Sequence, residues 1–540
     1  MAAIVSSNFR VLNANNFKED VTDSSVYVAI GKSDVWSLTT SDTVDGTPPS
    51  PNDHLDDIGE LRAQMTGMKK VTPADLANVV PRYTWTSGSS YHAWKSNDAS
   101  IFDKAFYIVT SEFKVYKCIK APANASTVQP TQTLTDPTAE SDGYTWKYMY
   151  TIGVSDATKF LTNSYMPTKT ISLSAEGIIA ATTSSSNVVT LKASNSKILV
   201  GMTVTGTGVS GTLKVTAVTG NVLTLSSNQS LTAGNRLTFA FGSDADAEAN
   251  LTEPDFAQFL NQKASRDSST AAGIEHIAVT AAGSGYTNGT HTFASGSSGA
   301  RFVTITGDGT GATATATVAG NVVTSINIVN KGTNYTVADV VIAGQGGSSA
   351  TAEATLAPKG GHGVDPVSEL GGFFSALNVQ LDGADGSGDI TVGNDFRQIA
   401  LIKEPRVFNA TPLTGAVATA DTLKATKALD FTGSSGAVSA YQVDELLVQA
   451  TTNAQAYVVE IDATNGLVHY HQNDKTGYTA FGAGLVVTGQ TSNAALTTES
   501  TPIVNPEVDR SSGEVLFYEN RAAISRSTTQ IEDIKLILEF

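Results

Sequence analysis

A single cysteine, Cys118, stands in a chain of 540 residues. That count excludes an intramolecular disulfide and any zinc site built on cysteines. Its setting, Phe113-Lys-Val-Tyr-Lys-Cys118-Ile119, alternates as a strand does. A buried structural thiol is therefore expected rather than a nucleophile, in a chain suited to a reducing compartment. Charge is sparse as well: Asp, Glu, Lys and Arg make up 16% of the residues, against about 25% in ordinary globular domains. Acids outnumber bases 51 to 34, for a formal net charge of -17, and no dense Lys/Arg run interrupts that excess. Such a field repels phosphate backbones, so no nucleic acid is expected as a partner. No stretch approaches the roughly 18 apolar residues of a membrane helix, so no membrane insertion is expected. Residues 1–10 lack the basic and apolar regions of a signal peptide, which points to synthesis and folding in a cytoplasm.

What fills the chain is Thr, Ser, Ala, Val and 47 Gly. This mixture suits short strands joined by tight turns, and a hydrophobic fraction of 41% excludes a disordered chain. The expected fold is mainly β and multi-domain: β-sandwich-like domains with a few short helices and an inserted small all-β module. The divisions read from composition are a mixed, β-rich domain at 1–170, completed by the C-terminal segment, and an inserted all-β module at 171–245. A linker helix follows at 246–275, then a duplicated β domain with its following helix at 276–396 and a β-rich C-terminal domain at 397–540.

Local patterns support that division. Residues 26–30 read as a buried strand. Leu55, Ile58, Leu61 and Met65 lie on one helical stripe. Thr72-Pro73 reads as an N-cap with Pro at the first helical position. Residues 106–109 and 113–119 read as a hairpin. Within the inserted module, Asn187-Val-Val-Thr-Leu191 echoes Asn221-Val-Leu-Thr-Leu225. Residues 254–266 read as a helix with Phe256, Phe259 and Leu260 on its apolar face. Ile277-Ala-Val-Thr-Ala-Ala-Gly-Ser-Gly-Tyr-Thr287 repeats as Ile326-Asn-Ile-Val-Asn-Lys-Gly-Thr-Asn-Tyr-Thr336, which fits a small duplicated domain. Asp365-Pro366 opens a helix whose apolar face is Val367, Leu370, Phe373, Phe374 and Leu377, weakened or kinked at Gly371-Gly372. Asn465-Gly466 joins a hairpin, and residues 531–540 read as a final strand.

Motifs that would carry chemistry fail on context. Gly206-Thr-Gly-Val-Ser-Gly211 fits the dinucleotide pattern, but a strand follows where a helix is needed. Gly31-Lys32-Ser33 lacks the first glycine of a phosphate loop, since Val26 stands there. His469 and His471 share one strand face, a spacing that can hold a metal, yet no further ligand completes the set. The expectation there is a half-exposed strand and no metal. His362 in Gly361-His-Gly363 reads as part of a turn. Asp308 lacks the repeated acids of a calcium loop. Asp56 and Asp57 are adjacent and form no catalytic pair. No catalytic residue and no cofactor are expected.

The terminal segments carry a resemblance. In order they hold Val26-Tyr-Val-Ala-Ile-Gly-Lys-Ser-Asp-Val-Trp36, Pro48-Pro-Ser-Pro-Asn-Asp53, Met68-Lys-Lys-Val71, Val79-Val-Pro-Arg-Tyr-Thr-Trp85 and Gly88-Ser-Ser-Tyr91. Val115-Tyr-Lys-Cys118, Asp142-Gly-Tyr-Thr-Trp-Lys-Tyr-Met-Tyr150 and Lys159-Phe-Leu161 come next. Then come Gly361-His-Gly-Val-Asp365, Glu369-Leu370, Asn394-Asp-Phe-Arg-Gln398, Ser512-Gly-Glu-Val-Leu-Phe-Tyr-Glu-Asn-Arg521 and Gln530-Ile-Glu-Asp533. This order resembles the baseplate wedge subunit of T-even-like contractile-tailed bacteriophages, the gene-product-eight type. It covers about residues 20–170 and 270–405 and the last thirty. The block at 171–242, and much of 410–505, departs from it.

The resemblance implies a mostly β subunit that dimerises and carries no catalytic residues. It also implies a place in each wedge of the baseplate, where the subunit holds neighbouring wedge proteins together and rearranges with them on tail contraction. The expected partners are thus a second copy and the other wedge proteins of the same phage. Concentrated aromatics make Trp85, Tyr91, Trp94, Trp146, Tyr148 and Tyr150 the candidate interface anchors, with burial in the core as the competing reading. Two rival functions remain: a receptor- or glycan-binding tail protein using the inserted module, and a glycan-degrading enzyme, which needs two carboxylates across a cleft.

Overall fold

The computed structural model describes residues 4–33, 35–36, 46–268, 273–296, 298–358, 360–382, 395–433, 436–473, 475–525 and 531–540. Asp34, Asn394 and Gln530, quoted above, lie outside the described residues. The chain is mainly β with short helices, as its composition predicts. Two compact units emerge, each assembled from separated stretches: residues 1–19, 77–376 and 537–540, and residues 20–76 and 377–536.

The second unit contains an antiparallel five-stranded sheet and a closed barrel. The fully buried strand Val26–Gly31 lies between Met65–Lys70 and Phe396–Lys403 in that sheet. A strand buried on both faces reads as a continuous apolar run, which is why residues 26–30 were legible. The helix Leu55–Gln64 forms where the stripe predicts. Only Leu61 of that stripe is buried within the helix; Leu55 is 88% exposed, and Met65 already belongs to the next strand. The barrel takes six strands from within residues 427–504, around Leu429, Phe431, Val458, Val468 and Tyr470. Its hairpin, Ala454–Asp462 with Leu467–His471, turns at Asn465-Gly466 as expected.

The first unit holds four sheets' worth of shorter strands and the longer helices. Residues 174–240 build a six-stranded antiparallel sheet with its own core, including Val189, Leu191, Leu213, Leu225 and Phe239. The echoing segments are its paired strands Ser186–Thr190 and Val222–Gln229, and residues 206–211 form the turn that the following strand demanded. The module's first and last strands pair, so that Ser174 faces Ala240.

The internal repeat is real in three dimensions. Gly283 and Gly332 both adopt positive φ, and Tyr286 and Tyr335 are both buried. The Tyr286 hydroxyl accepts from the amide of Ala350, and the Tyr335 hydroxyl accepts from that of Ala312. Each ring lies against a glycine of the other copy's turn, Gly347 and Gly309, where a Cβ would overlap it.

Two helical expectations need correction. Helix Pro366–Leu370 is capped by the Asp365 side chain, as predicted, but stops at Gly371, whose φ is 80°. Phe374 and Leu377 belong instead to the strand Phe374–Asp382; a left-handed glycine ends the helix rather than kinking it. The helix Asp255–Ser268 forms as expected, and of its expected apolar face Phe259 is buried with Phe256 packed beside it, but Leu260 is 36% exposed and the polar Gln258, Asn261, Gln262 and Ser265 are buried as well. Gln262 shows why polar side chains are buried there: its amide accepts from the backbone of Ile171 and donates to the carbonyls of Ile171 and Val364. The helix Ser7–Asp23 has no amphipathic pattern to announce it. It is held by Val11 packing on Val367 and Phe373 and by the Arg10 guanidinium, 3.5 Å from the Phe373 ring centre.

Candidate functional site

The first unit carries a sheet of four antiparallel strands in the order Tyr107–Val109, Lys114–Lys120, Thr145–Thr151, Thr138–Ala139. Alternation along its two central strands sends side chains to opposite faces. One face is aromatic: Tyr116 and Tyr148 pack edge to face, Tyr144 stacks on Trp146, and Tyr91 meets Trp146 edge-on. Cys118 sits on this face, fully buried, and burial pushes its thiol well above the ordinary range. That environment makes a structural thiol, as the sequence suggested.

Of the six candidate anchors, Tyr91, Trp146, Tyr148 and Tyr150 are enclosed in their own chain. Their polar tips are mostly occupied there: the Tyr91 hydroxyl accepts from the amide of Thr86, that of Tyr148 pairs with the Thr151 hydroxyl, and that of Tyr150 donates to the Pro167 carbonyl. Core packing, the competing reading, describes these four. Trp85 and Trp94 are half-buried; the Trp85 indole donates to the Ser126 hydroxyl.

The opposite face holds what the sequence did not announce. Lys117 and Lys147 are direct cross-strand partners, with relative exposures of 0% and 1%. Like charges facing each other across a sheet are destabilising, and buried ions need partners. Glu369 supplies one: its carboxylate lies 2.8 Å from the Lys117 ammonium and is itself buried. The same carboxylate accepts from the amides of Gly363 and Asp365, which fixes the loop before its own helix. Lys117 also sits 4.2 Å from the Trp94 ring centre, so Trp94 contributes a cation–π wall. The Lys147 ammonium donates to the Tyr148 carbonyl and to the Asn261 side chain on helix Asp255–Ser268.

His362 completes the group. Its ring stands edge-on to Trp94, with centroids 4.9 Å apart, and its Nδ1 is 3.9 Å from the Glu369 carboxylate. Burial, reinforced by Lys117, Lys331 and Lys147, drives its pKa well below the ordinary value, so the imidazole is neutral. Burial likewise lowers the pKa of Lys117 and brings that of Lys147 to about 8, with Glu369 opposing both shifts. Gly363 has to be small, because a side chain there would press on Lys147 and approach Ser265.

The remaining candidates lie elsewhere. His469 and His471 share a strand face but are buried, which corrects the half-exposed expectation. The His469 ring pairs with the Thr426 hydroxyl, and His471 stacks on Tyr457. Among the described residues no group of three His, Cys, Asp or Glu side chains could hold a metal ion. The Asp308 carboxylate caps a turn: hydrogen bonds from Thr336 and from the amide of Val337 hold its pKa at about 2. Asp56 and Asp57 lie in the first turn of helix Leu55–Gln64.

The Lys117–Glu369 group joins two strands, a loop and two helices through charges that need one another. Lys117, Lys147, His362 and Glu369 come from four of the blocks that carried the resemblance: Val115–Cys118, Asp142–Tyr150, Gly361–Asp365 and Glu369-Leu370; Trp94 lies just after the block that ends at Tyr91. Residues 3–136 match the family model described as Bacteriophage T4, Gp8, which bears out the resemblance over that stretch. It includes Trp94 and Lys117; Lys147, His362 and Glu369 lie beyond it. No curated protein matches the chain.

Proposed function

We propose that this chain, a structural baseplate wedge protein of the gene-product-eight type by its match over residues 3–136, links neighbouring wedge proteins as a homodimer and moves with them when the tail contracts. The family match carries this reading. Two features of the first unit support it. The keystone of buried charges ties the aromatic sheet to the loop at 361–365 and to helix Asp255–Ser268, which holds that sheet as one platform. Short strands with many connecting loops offer broad faces for contacts with several partners. On this reading the half-buried Trp85 is the aromatic anchor open to test, since Trp94 already serves the ion group. The chain works by binding and not by catalysis.

The homodimer is tested by light scattering on the purified full chain. A mass of twice the chain, stable on dilution to micromolar concentration, is expected; a monomer at all concentrations overturns the dimer. Trp85→Ala, checked for an unchanged melting transition, is expected to weaken capture by a neighbouring wedge protein. Unaltered capture removes Trp85 from the interface.

A further inference from the structure

Beside the Lys117–Glu369 group lies a cavity of about 60 Å³, lined by Lys147, Ser265 and His362, with Lys331, Glu275 and Asp136 around it. Three of its polar atoms are buried and make no hydrogen bond among the described residues: the Ser265 hydroxyl and both ring nitrogens of His362. Ser265 is 4% exposed and His362 6%. Unmet polar atoms this deeply buried are uncommon in folded proteins and call for a partner. An ammonium has three donors, and Lys147 spends two, on Tyr148 and Asn261.

The charges around the cavity decide what that partner is. Two buried ammonium groups, Lys117 and Lys147, stand against one buried carboxylate, Glu369. Lys331 and Glu275 neutralise each other, with the ammonium 3.1 Å from the carboxylate. Asp136 is exposed to solvent, where its field is weakened. Among the described residues Glu369 pairs with this lysine couple only through Lys117, and the Lys147 ammonium has no carboxylate partner. Water can satisfy dipoles but cannot balance a charge.

We propose that the cavity binds a single small monovalent inorganic anion of halide size, held between the Lys147 ammonium, the Ser265 hydroxyl and a ring N–H of His362. The bound ion gives the Lys147 ammonium an anionic partner and couples the loop at 361–365 to helix Asp255–Ser268. This inference stands on the geometry of the first unit and is independent of the wedge reading.

The test uses the full chain and halide salts. Melting transitions are recorded in sodium chloride and sodium bromide against sodium gluconate at equal ionic strength. A specific site raises the melting temperature in both halides, saturably, by about 1–3 °C. General salt effects run the other way, since weakly hydrated halides stabilise less than strongly excluded anions. Ser265→Ala is expected to shrink the difference, and Lys147→Met to abolish it by removing the ammonium. Crystals grown in bromide and measured at the bromine edge give a readout that needs no variant: an anomalous peak in the cavity supports the proposal. Superimposable melts in all three salts, a cavity holding water alone, or a halide effect that survives Lys147→Met overturns it.

Discussion

Lys117 and Lys147 face each other directly across two antiparallel strands inside the protein. The arrangement depends on Glu369, 252 positions along the chain from Lys117. Removing one partner of a buried ion pair typically costs about 3–5 kcal/mol, because the other charge stays buried and alone. Glu369→Gln should therefore destabilise the first unit by about that amount in urea or thermal unfolding. Lys147→Met should cost far less, since it takes away the cation that lacks a carboxylate partner. Equal losses for the two variants would remove Glu369 from its central place.

The same group gives the stability a pH signature. The Lys147 pKa is about 8 in the folded chain, against about 10.4 for an unperturbed lysine. Between those values the unfolded chain binds more protons, so this residue makes stability rise as pH rises. Its contribution is complete above the unfolded pKa and is lost as pH falls through about 8. Denaturation curves from pH 7.5 to 10 should show the rise in the parent and a flatter profile in Lys147→Met. Above about pH 10 a fall takes over, because burial also raises the pKa of Tyr107, Tyr116 and Tyr150. Identical profiles for parent and variant below pH 10 would contradict the assignment.

The duplicated domain makes a paired prediction. Gly309 and Gly347 each lie flat against a tyrosine of the other copy. Gly309→Ala and Gly347→Ala should each cost about 1–3 kcal/mol by overpacking, and by similar amounts, because the two sites are equivalent. A neutral result at either position, measured by thermal unfolding, would show that the ring moves aside without cost.

How much of this was legible in the sequence follows from distance along the chain. The hairpin at Asn465-Gly466, the cap at Asp365 and the repeat around Tyr286 and Tyr335 are local patterns, and all three appear. The closure of residues 427–504 into a barrel is non-local and left no signal. The buried face of helix Asp255–Ser268 was legible only in part: Phe259 is buried as its periodicity predicts, but Gln262 is buried for the backbone groups it satisfies at Ile171 and Val364, which no apolar periodicity records. Lys117 and Lys147 read as ordinary strand lysines. Nothing near them in sequence reveals that Glu369 and the loop at 361–365 close over them. The blocks that carried the resemblance held these residues, but a motif does not say which of its side chains are buried.

The block at 171–245 makes a prediction of its own. Most of its core lies within its own sheet, joined through Leu199 and Phe241 to the cluster around Ile171 and Phe259, and Ser174 pairs with Ala240, so a two-residue turn such as Asn-Gly can join them. Deleting residues 175–239 should leave the rest of the chain folded, at the cost of Leu199's packing beside Ile171 and Phe259, the Lys214–Asp246 ion pair and the contacts that Ser194 and the Ser196 amide make with Glu19. Phage carrying the deletion should still assemble baseplates if the module is accessory. Loss of adsorption with intact assembly would instead assign receptor or glycan binding to the module.

The central claim is that the chain is a structural link of the wedge. It is tested most directly by mixing the purified full-length chain with the other wedge proteins of the same phage and following molar mass by light scattering. The wedge account predicts a larger complex of defined mass and fixed stoichiometry that survives size exclusion. A chain that stays apart from every wedge protein, while binding host cells or their glycans, would contradict it.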